Sequence, residues 1–191
     1  MTRISILGTG TMGTAIAGIA EKGGNTVQLL GSKDTDQIVT GDIVVLAVPY
    51  PAIKEVLAQR ADQLTGRVVA DITNPVNFET FDSLTVPADS SAAAEIAAAL
   101  PDSKVLKAFN TTLGPTLAAG VIGGRPTTAL IAGDDTDAKT QLAGIITAGG
   151  LQAVDAGTLR RARELEALGF LQITLAATEK VGWTGGFAVV S

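Results

Sequence analysis

Residues 4–13 read Ile4-Ser5-Ile6-Leu7-Gly8-Thr9-Gly10-Thr11-Met12-Gly13. Four strand-like residues run into a turn with the pattern G-x-G-x-x-G. Residues 11–22 then read as a helix, with Met12, Ile16 and Ile19 on one face. Thr26–Leu30 is a second strand-like run, stopped by Gly31. Strand, glycine turn, helix and strand in close succession form the context in which this motif holds a dinucleotide. Gly8 makes the tight turn, Gly10 lets the main chain approach a pyrophosphate, and Gly13 lets helix and strand pack closely. Ala17, one turn on, keeps that packing close. The N–H groups near Thr11 and Met12 face the phosphates, helped by the helix dipole. Thr9 completes the turn. The same pattern can also close a turn that holds no ligand.

Working outward, Ile43–Val48 is a continuous apolar run stopped by Pro49, which suits a strand buried on both faces of a parallel sheet. Residues 51–60 read as helix, and Val68–Ile72 as strand. Residues 74–87 carry two prolines without helical period and read as a loop. An Ala-rich helix follows over 91–100, with Ser90 or Ser91 as N-cap and Pro101 as stop. Val105–Phe109, Thr127–Ile131 and Leu151–Val154 read as strands, with a helix over 135–148. The alternation predicts an α/β chain: a three-layer Rossmann-like NAD(P)-binding fold with a mostly parallel sheet. One domain is expected to span residues 1–191. Too few residues separate Lys33 from Ile43 for a helix and a strand. The usual third-strand unit is therefore expected to be missing, leaving the adenine side more open. Residues 158–181 predict a long C-terminal helix, either buried in its own subunit or shared across a homodimer. Gly182–Gly186 reads as a turn before a last short strand, Phe187–Val190.

Composition narrows the function. Acidic residues outnumber basic ones, 19 to 14, so nucleic acid and anionic membrane are not expected as partners. With 0 Cys and 0 His there is no thiol or imidazole to serve as nucleophile, base or metal ligand, and no metal site is expected. No apolar run approaches the length of a membrane span or a signal segment, so a cytoplasmic protein is expected. The second strand chooses between dinucleotides. An NAD site places an acid at its end to accept from the ribose 2′-OH. Here Leu30-Gly31-Ser32-Lys33 stands instead. A hydroxyl and an ammonium suit a 2′-phosphate, so NADP(H) is expected at Ser32 and Lys33. Lys33 could also be a solvated surface lysine, and Asp34 beside it opposes the reading.

Several segments together carry a resemblance. They are Ile4–Ala17, the Gly31-Ser32-Lys33 turn, Val44–Pro49, Asp71-Ile72-Thr73-Asn74-Pro75, Lys107-Ala108-Phe109-Asn110-Thr111, and Arg163-Glu164-Leu165-Glu166 through Gly186-Phe187. In this order they resemble the coenzyme F420-dependent NADP oxidoreductase family and its relatives, among them the NADPH-binding domains of the STEAP metalloreductases. The resemblance implies that Ala47, Val48 and Pro49 pass the adenosine and ribose side. It implies that Asn74, Pro75, Ala108, Phe109 and Asn110 lie at the nicotinamide end. Phe109 could instead be core, and Lys107 an ion-pair partner. Phe78, Phe81, Gly114 and Gly123–Gly124 are candidates for lining the acceptor pocket.

The activity so implied is hydride transfer between NADP(H) and a flavin or deazaflavin: F420, FMN or another flavin. No side chain need act as a catalytic acid or base, because the cofactors carry the chemistry and the protein orients them. Two alternatives stand beside it. One is an NADPH-dependent metal-chelate reductase acting through bound flavin; the other is a non-catalytic NADP(H)-binding redox sensor.

Overall fold

The computed structural model describes residues 1–190. Its elements are β1 (Arg3–Leu7), α1 (Thr11–Lys22), β2 (Thr26–Leu30), β3 (Ile43–Leu46), α2 (Ile53–Leu64), β4 (Val68–Asp71), α3 (Ala92–Ala99), β5 (Lys104–Lys107), α4 (Gly114–Ala119), β6 (Val121–Ile122), β7 (Arg125–Pro126), β8 (Thr128–Gly133), α5 (Thr136–Ala148), β9 (Gln152–Gly157) and α6 (Ala162–Ala177). Single 3-10 turns precede α2 and α6. The main sheet has the order β2-β1-β3-β4-β5-β8-β9. Its pairings are parallel except β5 with β8.

The layers follow from the side-chain alternation of a strand. Along β3, Ile43 and Val45 join a core with α1 and α5, while Val44 and Leu46 join a second core with α2 and α3. All four are buried, so the strand reads as an unbroken apolar run. This is the Rossmann-like three-layer α/β arrangement.

The trimmed edge is present. β2 is the outermost strand on that side, and residues 31–42 contain neither helix nor strand. These residues return across β1 and β2 instead. The Gln28 amide donates to Ile38 O at 2.9 Å and accepts from Thr40 N at 3.0 Å, while Ser5 Oγ accepts from Gly41 N at 2.8 Å. Arginines satisfy the carbonyls that a regular element would have paired. Arg60 donates to Asp34 O and Gln37 O at 2.6 and 2.8 Å, and Arg67 to Gly41 O and Val39 O.

Of the two expected caps of α3 it is Ser91 that serves, accepting from Ala94 N at 3.0 Å. Several other elements differ from the sequence reading. Residues 187–190 form no strand; they lie exposed without regular structure. The C-terminal helix stops at Ala177, four residues before Val181. There Thr174 and Thr178 hydroxyls take up main-chain carbonyls, and Glu179 adopts a left-handed φ of 58°. α4 and the β6–β7 hairpin were not legible, being only 6 and 2 + 2 residues long. Among the described residues, no helix is long and apolar enough to cross a membrane.

Candidate functional site

The glycine turn shows why its pattern is needed. Gly8 has φ +121°, and a Cβ there would lie 2.0 Å from Ala47 O. A Cβ on Gly13 would lie 2.0 Å from Gly8 O, so α1 presses directly on the turn. Around Gly10 the situation reverses: a Cβ would meet nothing within 4 Å. The first and third glycines are thus required by the fold. The second borders open space at the start of α1, which is where a pyrophosphate fits on the helix N-terminus.

Two cavities flank this turn along the C-terminal strand ends, the usual ligand edge of an open α/β sheet. On the adenine side a cavity of about 150 Å³ is lined by Gly8, Gly31, Ser32, Thr35, Val48, Ala52, Glu55, Val56, Gln59 and Arg60, with Leu7 and Leu30. Ser32 and Lys33 stand exposed at the tip of β2. The carboxylate of Asp34 is held locally, accepting from Gly31 N and from the Gln37 amide, each at 2.8 Å.

Beyond the ends of β4 and β5 lies a cavity of about 300 Å³. Met12, Ile72, Phe78, Phe81, Leu113, Ile173 and Trp183 make most of its wall, with Asn74, Asn110, Thr112, Gly114, Gly169 and Gln172. Phe78 and Phe81 meet edge to face, with ring centroids 5.6 Å apart. Asn74 and Asn110 form a reciprocal pair: Asn74 Nδ2 donates to Asn110 O, and Asn110 Nδ2 to Asn74 Oδ1, each at 2.9 Å. Asn110 Nδ2 also donates to Leu165 O at 2.9 Å. Gly169 packs against this pair, and a Cβ there would stand 2.4 Å from Asn74 Oδ1.

Beneath the pair lies a wholly buried charged cluster. Lys107 Nζ donates to Asp71 Oδ2 at 2.7 Å, to Glu166 Oε1 at 2.8 Å and to Thr73 O, so its three protons have three acceptors. Asp71 Oδ1 accepts from Thr73 N at 2.8 Å. Burial holds the Glu166 carboxyl above its usual pKa, against the opposing pull of Lys107.

A larger groove of about 750 Å³ begins at Thr9–Thr11 and runs along the outside of α1 to Lys22. It leads away from the strand ends, toward Gly149–Leu151.

The residues expected at the site therefore divide. Gly8, Thr9, Gly10, Thr11, Met12, Ser32, Lys33, Ala47, Val48, Pro49 and Asn74 lie along the strand-end edge with at least partial exposure. Gly13 is buried and serves the packing of α1. Pro75, Ala108 and Phe109 are buried. Phe109 belongs to the larger core cluster, and its φ of 62° turns the chain after β5. Lys107 is the ion-pair partner, and Gly123–Gly124 lie in the β6–β7 hairpin turn, outside the cavity. Residues that sequence reasoning missed are Arg60, Gly169, Gln172, Trp183 and the two carboxylates that meet Lys107, Asp71 and Glu166. Some left a signal. Arg60 stands on the stripe Ile53–Leu57–Arg60–Leu64, and Glu166 on the buried face with Ala162 and Gly169. A charge on an apolar face points to a specific partner.

Fold and turn together define the class: an α/β protein of the Rossmann type whose first strand runs into a G-x-G-x-x-G turn. The family described as NADP oxidoreductase, coenzyme F420-dependent, matches residues 19–75. The F420-dependent NADP reductase of Methanocaldococcus jannaschii is 28% identical over 171 residues, covering 87% of this chain and 76% of that one. Metalloreductase STEAP3 of Rattus norvegicus is 31% identical over 133 residues, 70% of this chain but only 26% of that protein. A solved structure of a candidate F420-dependent NADP-reductase from Arthrobacter sp. FB24 superposes with a TM-score of 0.85 at 23% identity, with full coverage of both chains. The chain thus resembles the coenzyme F420-dependent NADP oxidoreductases along most of its length.

Proposed function

We propose that this protein is an NADP(H)-dependent oxidoreductase that passes hydride between nicotinamide C4 and the ring of a flavin or deazaflavin of the F420 kind. The observation that carries the reading is the mostly apolar 300 Å³ cavity beside the glycine turn, at the ends of β4 and β5. Its relatives' names point the same way. When bound, the nicotinamide and the acceptor ring supply the redox chemistry between them. The chain's own residues bind and orient. Amides at Gly10–Met12 face the pyrophosphate, and Ser32 and Lys33 meet the 2′-phosphate. Val48 and Pro49 border the ribose side. The Asn74–Asn110 pair fixes the floor of the cavity, while Met12, Phe78, Phe81 and Trp183 exclude water from the reacting rings. No general acid or base is required of the protein.

The test is stopped-flow mixing of NADPH-loaded protein with F420, FMN and riboflavin in turn. Oxidation of NADPH coupled to reduction of one of these is the expected result. Tight NADPH binding without turnover of any acceptor would overturn the reductase reading in favour of a sensor.

A further inference from the structure

Glu166 is wholly buried, yet hydride transfer gives it no task. Its position relates two walls of the acceptor cavity. One wall is the segment 74–91, which carries Phe78 and Phe81; the other is α6, which carries Gly169, Gln172 and Ile173. Glu166 stands on α6. Its Oε2 accepts from Ala92 N at 2.9 Å and its Oε1 from Ala93 N at 3.3 Å, where the first wall ends in α3. Its Oε1 also meets Lys107, and Lys107 holds Thr73 O, where that wall begins. One carboxylate and one ammonium therefore bind at both ends of the segment, the first end being held also by the Asn74–Asn110 pair.

Between those ends the segment bonds largely to itself. Val76 bridges Leu84, Thr85 N donates to Pro75 O at 2.7 Å, and Asn77 N to Ser83 O at 2.9 Å. Such a segment keeps its shape but takes its placement from its ends. A buried ion pair is a weak source of stability beside apolar side chains of the same volume. The geometry that it imposes is the better account of this one.

We propose that Glu166, acting with Lys107, is a positioning residue that fixes the segment 74–91 against α6 and so sets the shape of the acceptor cavity. The proposal rests on the reductase reading. The partners of Glu166 are Ala92, Ala93 and Lys107 and none lies in the glycine turn, so its effect falls on the acceptor and not on the dinucleotide phosphates.

The test uses Glu166→Gln, which keeps the size but replaces one acceptor oxygen by a donor, so that Lys107 or the α3 amides lose a partner. Glu166→Asp keeps the charge but shortens the reach, and gives the same comparison if the first variant fails to fold. Three quantities are read: amide hydrogen exchange, the Kd of NADPH, and turnover of riboflavin at saturating NADPH. Faster exchange confined to residues 76–93 is expected, with exchange across residues 4–30 unchanged. The NADPH Kd should stay within about twofold, as for an independent site. The kcat/KM for riboflavin should fall about tenfold or more, since misplacing reacting atoms by about 1 Å costs on the order of 100-fold. Unchanged exchange over 76–93 refutes the proposal. So does a uniform rise in exchange with equal loss of NADPH binding, the mark of a merely structural role. If the wild type reduces neither F420 nor any flavin, the reductase reading fails, while the exchange pattern still decides whether Glu166 places the wall.

Discussion

Gly10→Ala and Gly13→Ala add the same methyl group three residues apart, and the structure assigns them opposite effects. At Gly10 the new Cβ meets nothing within 4 Å, and the backbone there (φ −73°, ψ −176°) suits any residue. Folding stability should therefore change by less than about 0.5–1 kcal/mol, with a slight gain because the unfolded chain loses freedom. That corresponds to a Tm shift of at most about 4 °C. The methyl group nevertheless stands where the pyrophosphate must approach the amides. Loss of one charge-assisted hydrogen bond costs about 1.5–3 kcal/mol, or roughly 10–150-fold in the Kd of NADPH. At Gly13 the Cβ would lie 2.0 Å from Gly8 O, a main-chain atom that cannot swing aside. Moving α1 off the turn should cost about 3 kcal/mol or more and lower Tm by roughly 6–12 °C. Thermal unfolding and fluorescence titration with NADPH measure both variants. A Gly10→Ala protein that binds NADPH like the wild type would show that this turn does not hold a pyrophosphate. A Gly13→Ala protein of undiminished Tm would remove the packing argument.

Further outcomes follow from other positions. Lys33→Ala should weaken NADPH by about 1–2 kcal/mol and leave NADH nearly unchanged; parallel titrations with the two nucleotides check this, and equal losses would exclude a 2′-phosphate contact. Gly169→Ala forces a Cβ to 2.4 Å from Asn74 Oδ1, which should destabilise the fold by about 1–3 kcal/mol and disturb riboflavin turnover more than NADPH binding. The single tyrosine, Tyr50, donates to Glu95 Oε2, and burial and then that carboxylate push its pKa above the usual 10.0. An absorbance titration should find the phenol still protonated where free tyrosine ionises. Because the folded pKa is raised, this contribution to stability is complete below pH 10 and is lost only as pH climbs toward the folded value. Glu95→Gln should bring the onset back down.

The two ends of the chain show what its sequence could carry. Residues 4–30 announced their structure because every link there is local: a strand period, a glycine turn, a helical face and a second strand. The missing unit after β2 was equally plain, since Lys33 and Ile43 are too close to hold it. What replaced that unit was not plain, because Arg60 and Arg67 meet carbonyls more than twenty residues away. The nicotinamide end divides in the same way. Asn74 and Asn110 were placed there by resemblance, but their pairing across 36 residues is a tertiary fact. Phe109 reads from the sequence either as a residue of the nicotinamide end or as core; the structure buries its ring in the larger core cluster on a left-handed backbone, and no local pattern announces a positive φ at phenylalanine. Glu166 stood on a readable helical face, but its partners come from β5 and α3. The strand expected at 187–190 failed because β-branched residues alone do not make a strand; a neighbour with free backbone groups is also needed.

The shortened edge beside β2 bears on how long a nucleotide would stay. A dinucleotide gripped at its phosphates and nicotinamide, with its adenine half facing only a 150 Å³ recess and solvent, gives up part of the contact that slows departure. Residence time, more than encounter rate, is where such losses are felt. Under the proposed function NADP(H) is then a travelling co-substrate, collected and surrendered in each turnover, and its exchange with the surrounding pool belongs to the catalytic cycle.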